Sequence, residues 1–358
     1  MTRRPAIASV LVATLVLAAC SKKSADTTPV AAADLIITGG SIVTMEGDQP
    51  TTVEAIVVDE GKITFVGSKV DALKQQADGT VLKDLAGRTL MPGFIDGHAH
   101  AQQFGTQAVG ANLLAPPDGT VNSMDDLVDR LKTFAVGPDV VLTGWIFGVG
   151  YDDALLGRHP TREDLDKVST TIPVMATHIS GHFAAVNTLG LKMIGYDAST
   201  PNPEGGVIRR EADGKTPNGV LEELAAMPYM VKFLTPTTQE GKDIFLKRGL
   251  EMAKSYGYTT ANEGRMFGAM HADMANAAER GLVDIDFNGW MDYSNRAEID
   301  RGFATAYTNH YRLAGLKITL DGSPQGRTAW RTVAYLIPPD GQAPGYKGYP
   351  AIPDTKQV

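Results

Sequence analysis

From about residue 92 onward, short apolar runs with strand character alternate with runs of helical character. The strand-like runs are residues 93–96, 140–146, 173–178, 258–263, 283–290 and 316–321. The helix-like runs include residues 124–134, 162–168 and 238–256. Such alternation predicts βα units around a parallel sheet, most simply a (β/α)8 TIM-like barrel. The strand-like runs are too few to close a barrel of that kind, so we expect an incomplete barrel over residues 91–358.

Two segments outside this alternation have their own patterns. Residues 34–90 contain short β-rich runs separated by turn signals such as Gly39-Gly40 and Asp59-Glu60-Gly61-Lys62. This spacing predicts hairpins in a small N-terminal β-sandwich domain. Residues 196–220 are rich in Gly, Pro and polar residues, which predicts a long insertion loop within the barrel.

The N-terminus has the pattern of an export signal. Two arginines precede an apolar run over residues 7–19 that is too short to span a bilayer. This run ends in Leu17-Ala18-Ala19-Cys20, which resembles a bacterial lipobox. The resemblance implies a lipoprotein signal peptide over residues 1–19 and a lipid on the thiol of Cys20. An ordinary secretory signal with an incidental cysteine is the alternative.

If Cys20 is lipidated, residues 20–33 form a polar tether that holds the folded part away from a membrane. Ser21 follows the cysteine, and in such lipoproteins this favours the outer membrane, facing the periplasm. No nucleic-acid partner is expected, because the formal net charge is -8. Cys20 is the only cysteine, so the folded part must bind any metal through His, Asp, Glu or a modified Lys.

A pair of histidines closes the first strand of the predicted barrel. Residues 90–100 read Leu-Met-Pro-Gly-Phe-Ile-Asp-Gly-His-Ala-His and end with His98 and His100. Alternation along a strand points both imidazoles to the same side. In a parallel barrel this end of the strand lies at the catalytic mouth, and neutral imidazole is a common ligand of Zn and related ions. Two exposed histidines without a role are the alternative.

The same string closely resembles the first-strand metal motif of the amidohydrolase superfamily. Further motifs resemble its YtcJ-like branch, amidohydrolase family 3; they are residues 150–152 (Gly-Tyr-Asp), 160–166 (Pro-Thr-Arg-Glu-Asp-Leu-Asp), 181–187 (Gly-His-Phe-Ala-Ala-Val-Asn), 218–223 (Asn-Gly-Val-Leu-Glu-Glu) and 316–323 (Leu-Lys-Ile-Thr-Leu-Asp-Gly-Ser). The resemblance extends from about residue 34 to about residue 351. It implies a metal-dependent hydrolase barrel preceded by a small β domain.

The resemblance also implies metal ligands. His98 and His100 would bind the metal. Glu223 matches the acidic position that stands where other amidohydrolases place a bridging carboxylated lysine, and its neighbour Glu222 is the competitor. A solvent-facing Glu without a ligand role is the alternative for Glu223. The implied cofactor is a divalent metal, with Zn as the default for His and carboxylate sites.

Three further residues would contact a small-molecule amide substrate. These are His182, which would line the pocket, and Asp321 and Lys317, which would lie at the end of a late strand. A hydrogen-bonded core histidine is the alternative for His182, and a purely structural role is the alternative for Lys317. We give little weight to His178 and expect His159, His271 and His310 to lie at the surface.

The implied reaction is hydrolysis of carbon–nitrogen bonds other than peptide bonds, in amide, N-acyl or N-formyl substrates, by metal-activated water. The family's later motifs, a His-x-x-Gly-Asp segment, another His and a final Asp that acts as general acid and base, do not occur in this sequence. We therefore expect a C-terminally truncated hydrolase and assign no catalytic residue. An inactive remnant and a lipid-anchored ligand-binding protein are the alternatives.

Overall fold

The computed structural model describes residues 33–203, 205–321, 324, 327, 329–338, 342–348 and 350, except for the side chain of Gln102. The predicted signal peptide and Cys20 lie outside these residues. The chain divides into two compact units, one ending at Pro92 and the other beginning at Gly93. In the described part of the chain, no helix is both long and apolar enough to cross a membrane.

The first unit is built on one mixed sheet. Its elements are β1 (Leu35–Val43), β2 (Thr52–Asp59), β3 (Lys62–Gly67), α1 (Lys69–Leu73) and β4 (Val81–Asp84). The strand order is β3-β2-β1-β4, with β1 and β4 parallel and the other pairs antiparallel. Strand alternation gives the sheet two apolar faces. Ile36 and Val57 pack with Ala72 of α1 on one face, and Ile42 and Ile56 pack on the other. The small β domain predicted for residues 34–90 is thus present, but over residues 33–92 it is a single sheet and not two packed sheets.

The second unit contains ten strands and ten helices over its described residues. The strands are β5 (Phe94–Ile95), β6 (Ala111–Asn112), β7 (Ile146–Tyr151), β8 (Val174–His178), β9 (Phe183–Val186), β10 (Gly206–Arg210), β11 (Pro217–Glu223), β12 (Tyr258–Met266), β13 (Asp286–Asp292) and β14 (Tyr311–Lys317). The helices are α2 (Ala101–Val109), α3 (Met124–Ala135), α4 (Val140–Thr143), α5 (Asp153–Leu156), α6 (Arg162–Asp166), α7 (Thr188–Ile194), α8 (Met227–Leu234), α9 (Gln239–Ser255), α10 (Gly268–Glu279) and α11 (Arg296–Ile299).

These strands form two sheets. One has the order β10-β11-β9-β8-β7-β6, in which β6, β7 and β8 are parallel and the remaining neighbours are antiparallel. The other has the order β14-β13-β12-β5 and is entirely parallel. Parallel strands linked through helices are the elements of a TIM-like barrel. The predicted α/β fold, an incomplete barrel of this type, is confirmed.

Close packing next to the predicted metal motif depends on two glycines. Helix α2 begins directly after His100 and crosses α9 where Gly105 faces Gly249. A Cβ at Gly249 would lie 2.8 Å from the backbone nitrogen of Gly105, so a side chain here would push the two helices apart. The backbones meet directly, which holds the start of α2 against α9.

Three sequence-based element predictions differ from the structure. Residues 140–143 form helix α4, and the strand begins only at Ile146, because the fully buried run 145–147 outcompetes the β-branched Val140-Val141 for the sheet. The predicted insertion loop over residues 196–220 contains strand β10 and the first part of β11, which pairs with it antiparallel. Among the described residues the last strand is β14, which ends at Lys317, so Asp321 lies beyond it.

Candidate active site

His98 and His100 lie side by side after strand β5. Their ring centroids are 5.6 Å apart, with the ring planes inclined at 75°. The carboxylate of Asp96 accepts hydrogen bonds from the backbone N–H of His98 at 3.1 Å and from that of Asn262 on β12 at 3.1 Å. Asp96 therefore ties the histidine segment to the neighbouring strand, since each of its oxygens holds one of the two backbones.

A buried carboxylate on β12, which sequence analysis did not select, contacts His100 of this pair. Glu263 Oε1 lies 3.0 Å from His100 Nδ1 and also accepts the backbone N–H of Arg265 at 3.1 Å. Glu263 is only 1% exposed, whereas the His100 side chain is 40% exposed. The signal that could have revealed Glu263 is its place late in a predicted parallel strand, since the carboxyl ends of such strands meet at one edge.

Gly264 makes room for the imidazole of His98. A Cβ at this position would lie 2.7 Å from His98 Cε1 and 2.9 Å from the carbonyl oxygen of Ala99. The backbone N–H of Gly264 donates to that same carbonyl at 2.7 Å. Only a residue without a side chain allows this approach, so Gly264 fixes how closely the histidine segment lies against β12.

Glu223 and His182 form a second pair, in the six-stranded sheet. Glu223 ends β11 with a left-handed φ of 48°, which is rare for a residue with a side chain. Its two carboxylate oxygens lie 2.9 and 3.1 Å from His182 Nδ1. The hydrogen bond to Glu223 raises the pKa of His182 and outweighs the opposing effect of burial. Backbone pairing of β9 with β11 places the two residues together, because the Glu223 N–H donates to the His182 carbonyl at 2.8 Å.

The structure does not bring Glu223 to the two histidines of the predicted metal motif. Within the described residues, the ligand atoms of three or more His, Cys, Asp or Glu come within 4.8 Å of one another in one group alone, and that group is Asp152, Asp153 and His178. Glu223 belongs to the six-stranded sheet, whereas His98 and His100 follow β5 of the four-stranded sheet. A ligand role for Glu223 stays a prediction.

The two remaining predicted site residues, Lys317 and Asp321, have different local surroundings. Lys317 ends β14 and pairs in register with Asp292 of β13. Burial raises the pKa of Asp292, but hydrogen bonds from Ser294 and Arg265 outweigh it and hold the pKa below its ordinary value. Asp321 lies beyond the strand, where its carboxylate accepts the backbone N–H of Trp330 at 3.0 Å. Substrate-binding roles for Lys317 and Asp321 also stay predictions.

A histidine cluster that sequence analysis set aside lies at the ends of β7 and β8. His178 Nε2 is 2.8 Å from Asp153 Oδ1, and His159 Nε2 is 3.5 Å from Asp153 Oδ2. The hydroxyl of Tyr151 is 2.9 Å from His159 Nδ1. Burial lowers the pKa of His159 to about 4 and raises that of Tyr151. His159 is thus not the surface residue we expected, because its side chain is only 10% exposed.

The spacing of these residues along the sequence does not reveal that they form a cluster. Asp153 follows β7, His178 ends β8, and Tyr151 pairs in register with His178 across these two parallel strands. Adjacent parallel strands bring their carboxyl ends together, which is the signal that could have found the group. Asp152 Oδ1 is already engaged, since it accepts the backbone N–H of Ala154 at 3.0 Å and caps α5.

Comparison with known proteins agrees with this architecture. A model of the amidohydrolase family matches residues 82–357. The exoenzymes regulatory protein AepA of Pectobacterium carotovorum subsp. carotovorum is 29% identical over 287 residues, which cover 78% of this chain and 60% of AepA. N-substituted formamide deformylase of Arthrobacter pascens is 29% identical over 196 residues, which cover 54% of this chain and 35% of the deformylase.

A solved structure shares the fold. The crystal structure of an uncharacterized metal-dependent hydrolase from Pyrococcus furiosus superposes with a TM-score of 0.64 at 22% identity, covering 88% of this chain and 62% of that chain. The chain spans 60% or less of the length of the two relatives described above. The family match covers most of the chain, and the YtcJ-like resemblance inferred from the motifs is confirmed. This chain belongs to the amidohydrolase family.

Proposed function

We propose that this chain is a metal-dependent hydrolase of carbon–nitrogen bonds other than peptide bonds, acting on amide, N-acyl or N-formyl substrates. The proposal rests on one observation above all. In a chain of the amidohydrolase family, His98 and His100 lie side by side next to the buried carboxylate of Glu263. The similarity to N-substituted formamide deformylase supports the substrate class.

The donor types present fit a divalent cation, for which we propose Zn, but the ligand atoms of His98, His100 and Glu263 do not all lie within 4.8 Å of one another, so binding requires these side chains to move closer together. Two imidazoles and one carboxylate form a donor set that Zn accepts, and the thiolates that other Zn sites use are not needed. His98, His100 and Glu263 would hold the ion, with Glu223 as a further candidate from the family resemblance. When bound, such an ion polarises a carbonyl group and lowers the pKa of a water molecule towards neutrality.

Other groups of the protein position the proposed ligands or are suited to proton exchange with a substrate. Glu263 holds the ring of His100 through Nδ1, and Asp96 holds the backbone of His98. His182 faces Glu223 through Nδ1, which leaves its Nε2 to contact a substrate. Because the hydrogen bond with Glu223 favours the protonated ring, His182 is suited to donate a hydrogen bond to a substrate carbonyl or a leaving group.

Metal content and turnover test the proposal together. We expect about one Zn per chain by elemental mass spectrometry and hydrolysis of N-formyl or N-acyl amines. A His98→Ala/His100→Ala variant should lose both. The matched control is His310→Ala, because His310 is exposed and pairs only with Asp286 among the contacts described here. A folded chain that binds no divalent metal and hydrolyses no amide would overturn the proposal.

A ligand-binding role without turnover is the second candidate. The name of AepA denotes a regulatory protein, and that relative shares 29% identity with the chain over 287 residues. Under this alternative, amides would bind with measurable heat in a titration but would be recovered intact. Detection of the hydrolysed amine separates the two functions.

We also propose that the protein is anchored to the outer membrane, facing the periplasm, by a lipid on Cys20. The residues that support this are the apolar run and the segment Leu17-Ala18-Ala19-Cys20. Labelled palmitate should enter the wild-type protein and not a Cys20→Ser variant, and only the wild-type protein should sediment with membranes. Equal labelling of both proteins would contradict the anchor.

A further inference from the structure

A serine, a histidine and an aspartate form a hydrogen-bonded chain that shares no residue with the proposed metal ligands. Ser180 Oγ is 2.8 Å from His178 Nδ1, and His178 Nε2 is 2.8 Å from Asp153 Oδ1. Ser180 is exposed, whereas the His178 side chain is only 11% exposed. The solvent-exposed hydroxyl of Ser180 is therefore hydrogen-bonded to the imidazole of His178, which is largely shielded from solvent.

The backbone decides which nitrogen of His178 carries the proton. The N–H of Ser180, which can only donate, points to His178 Nδ1 at 3.1 Å. Nδ1 must therefore present its lone pair, and the proton of the neutral ring resides on Nε2, which donates to Asp153. With Nδ1 as acceptor, the Ser180 hydroxyl donates to it. A metal at Nε2 would require the opposite tautomer, so the geometry favours a proton relay over a cation site.

The surrounding residues hold the imidazole in this orientation. The ring of His178 packs edge-on against Tyr151 and Phe183, with centroid distances of 5.1 and 5.5 Å. Asp153 also faces His159, but burial lowers the pKa of His159 to about 4, so that ring is uncharged at neutral pH. The negative charge of Asp153 is then available to stabilise a protonated His178.

A tight turn presents the serine. Ser180 lies in the turn between β8 and β9, which the Gly181 N–H closes onto the His178 carbonyl at 2.9 Å. Gly181 has a left-handed φ of 72°, which suits glycine. The N–H of His182 donates to Ser180 Oγ at 3.2 Å, so the oxygen accepts one bond while its proton faces His178.

We propose that Ser180 is an activated nucleophile with a second, metal-independent acyl-transfer activity towards activated aryl esters. The arrangement matches a Ser-His-Asp triad with the two ring nitrogens exchanged. Ser180 Oγ attacks the ester carbonyl and its proton passes to His178. His178 passes this proton to the aryl oxygen, so the ester C–O bond breaks, the phenol leaves and the acyl–Oγ bond remains. His178, neutral again, then takes a proton from water as the water oxygen attacks the acyl carbon, and it returns that proton to Ser180 Oγ as the acyl–Oγ bond breaks and the carboxylic acid leaves.

Labelling of the full chain with a fluorophosphonate tests this directly. Attack forms the Oγ–phosphorus bond and expels fluoride, and peptide mapping locates the adduct. Turnover of p-nitrophenyl acetate is followed in parallel, with EDTA present in both assays. We expect labelling at Ser180 and none at Ser199, which is the matched control because it is exposed and hydrogen-bonded to Asp197 without a histidine.

Variants test whether His178 and Asp153 activate Ser180 or whether Ser180 is labelled only because it is exposed. His178→Gln should slow labelling by about 10²–10⁴-fold, the usual contribution of a general base. Asp153→Asn should slow it by at least about tenfold, because it removes the charge that stabilises the protonated imidazole. Ser180→Ala should abolish the adduct and the ester turnover, while Ser199→Ala should change neither. Circular dichroism confirms that each variant is folded.

Two results would overturn the assignment. One is a folded wild-type chain whose Ser180 is labelled no faster than Ser199. The other is labelling of Ser180 at a rate that His178→Gln and Asp153→Asn leave unchanged. The hydrogen bond between Ser180 and His178 would then only stabilise the turn and would not activate the serine. Amide hydrolysis by the proposed metal centre requires metal, whereas this activity persists in EDTA, so failure of one is distinguishable from failure of the other.

Discussion

Replacing Asn187 by the isosteric Asp should strongly destabilise the protein. Asn187 is fully buried, and all four hydrogen-bonding positions of its side chain are filled. Oδ1 accepts the backbone N–H groups of Val174 at 3.0 Å and Gly190 at 2.8 Å. Nδ2 donates to the carbonyls of Ser169 at 2.7 Å and Ile172 at 3.1 Å. The side chain joins β8 to α7 and anchors the hairpin of β8 and β9, in which His178 ends β8 and His182 precedes β9.

Asn187→Asp keeps the two bonds at Oδ1 and turns the two at Nδ2 into contacts between oxygens. Two lost neutral hydrogen bonds cost about 2 kcal/mol, and two buried carbonyls without a donor add about 1 kcal/mol or more each. We therefore expect a loss of about 3–5 kcal/mol in the free energy of unfolding at neutral pH. Burial also raises the pKa of the introduced carboxyl, so the loss should grow as the pH rises above about 4, the ordinary value for aspartate.

Urea unfolding followed by tryptophan fluorescence and circular dichroism measures this loss. The matched control is Asn122→Asp, because Asn122 is exposed and its Nδ2 makes one weak bond, at 3.3 Å to the Thr120 carbonyl. The control should change stability by no more than about 0.5 kcal/mol. A loss below about 1 kcal/mol for Asn187→Asp, or one equal to the control, would refute the inferred hydrogen-bond network.

Three further predictions concern the metal motif and the pH dependence. Glu263→Gln should weaken metal binding at least about 10–100-fold in a chelator competition, because it removes a carboxylate both from the proposed ligands and from the contact that orients the His100 ring, and unchanged affinity would contradict both roles. Gly264→Ala should lower metal content while the helices stay intact by circular dichroism, because its Cβ would collide with His98. Burial raises the pKa of Asp164, but hydrogen bonds from Arg158 and Thr161 outweigh it and depress the pKa. Its stabilisation is therefore present above about pH 4 and lost as the pH falls through the depressed value, and an Asp164→Asn variant should lack this part of the acid transition in urea unfolding.

The sequence predicted the fold and the grouping of the first-strand histidines because both follow from local periodicity. Alternating runs predict βα units, and the His-x-His spacing predicts that the two rings lie near each other, as the 5.6 Å between the His98 and His100 centroids confirms, although both residues lie beyond β5 and not within a strand. The helices over residues 124–134, 162–168 and 238–256 are confirmed within a few residues, since Ser123 and Thr238 cap the first and last of them.

Contacts between distant residues were not predictable in the same way. Glu263 meets His100 across 163 positions and Asp153 meets His178 across 25, and no spacing rule links such pairs. Two motifs that carried the family resemblance have structural roles. Asp164 closes a capping box with Thr161 at the start of α6, and Asn187 joins β8 to α7.

The pairing of β9 with β11 has a consequence for protein engineering. His182 and Glu223 are held together by the ladder between these strands, and the Glu223 N–H donates to the His182 carbonyl. A designer could therefore move the stretch from β9 to β11 into another sheet as a cassette. The imidazole and carboxylate should arrive already aligned, because hydrogen bonds within the cassette set their spacing.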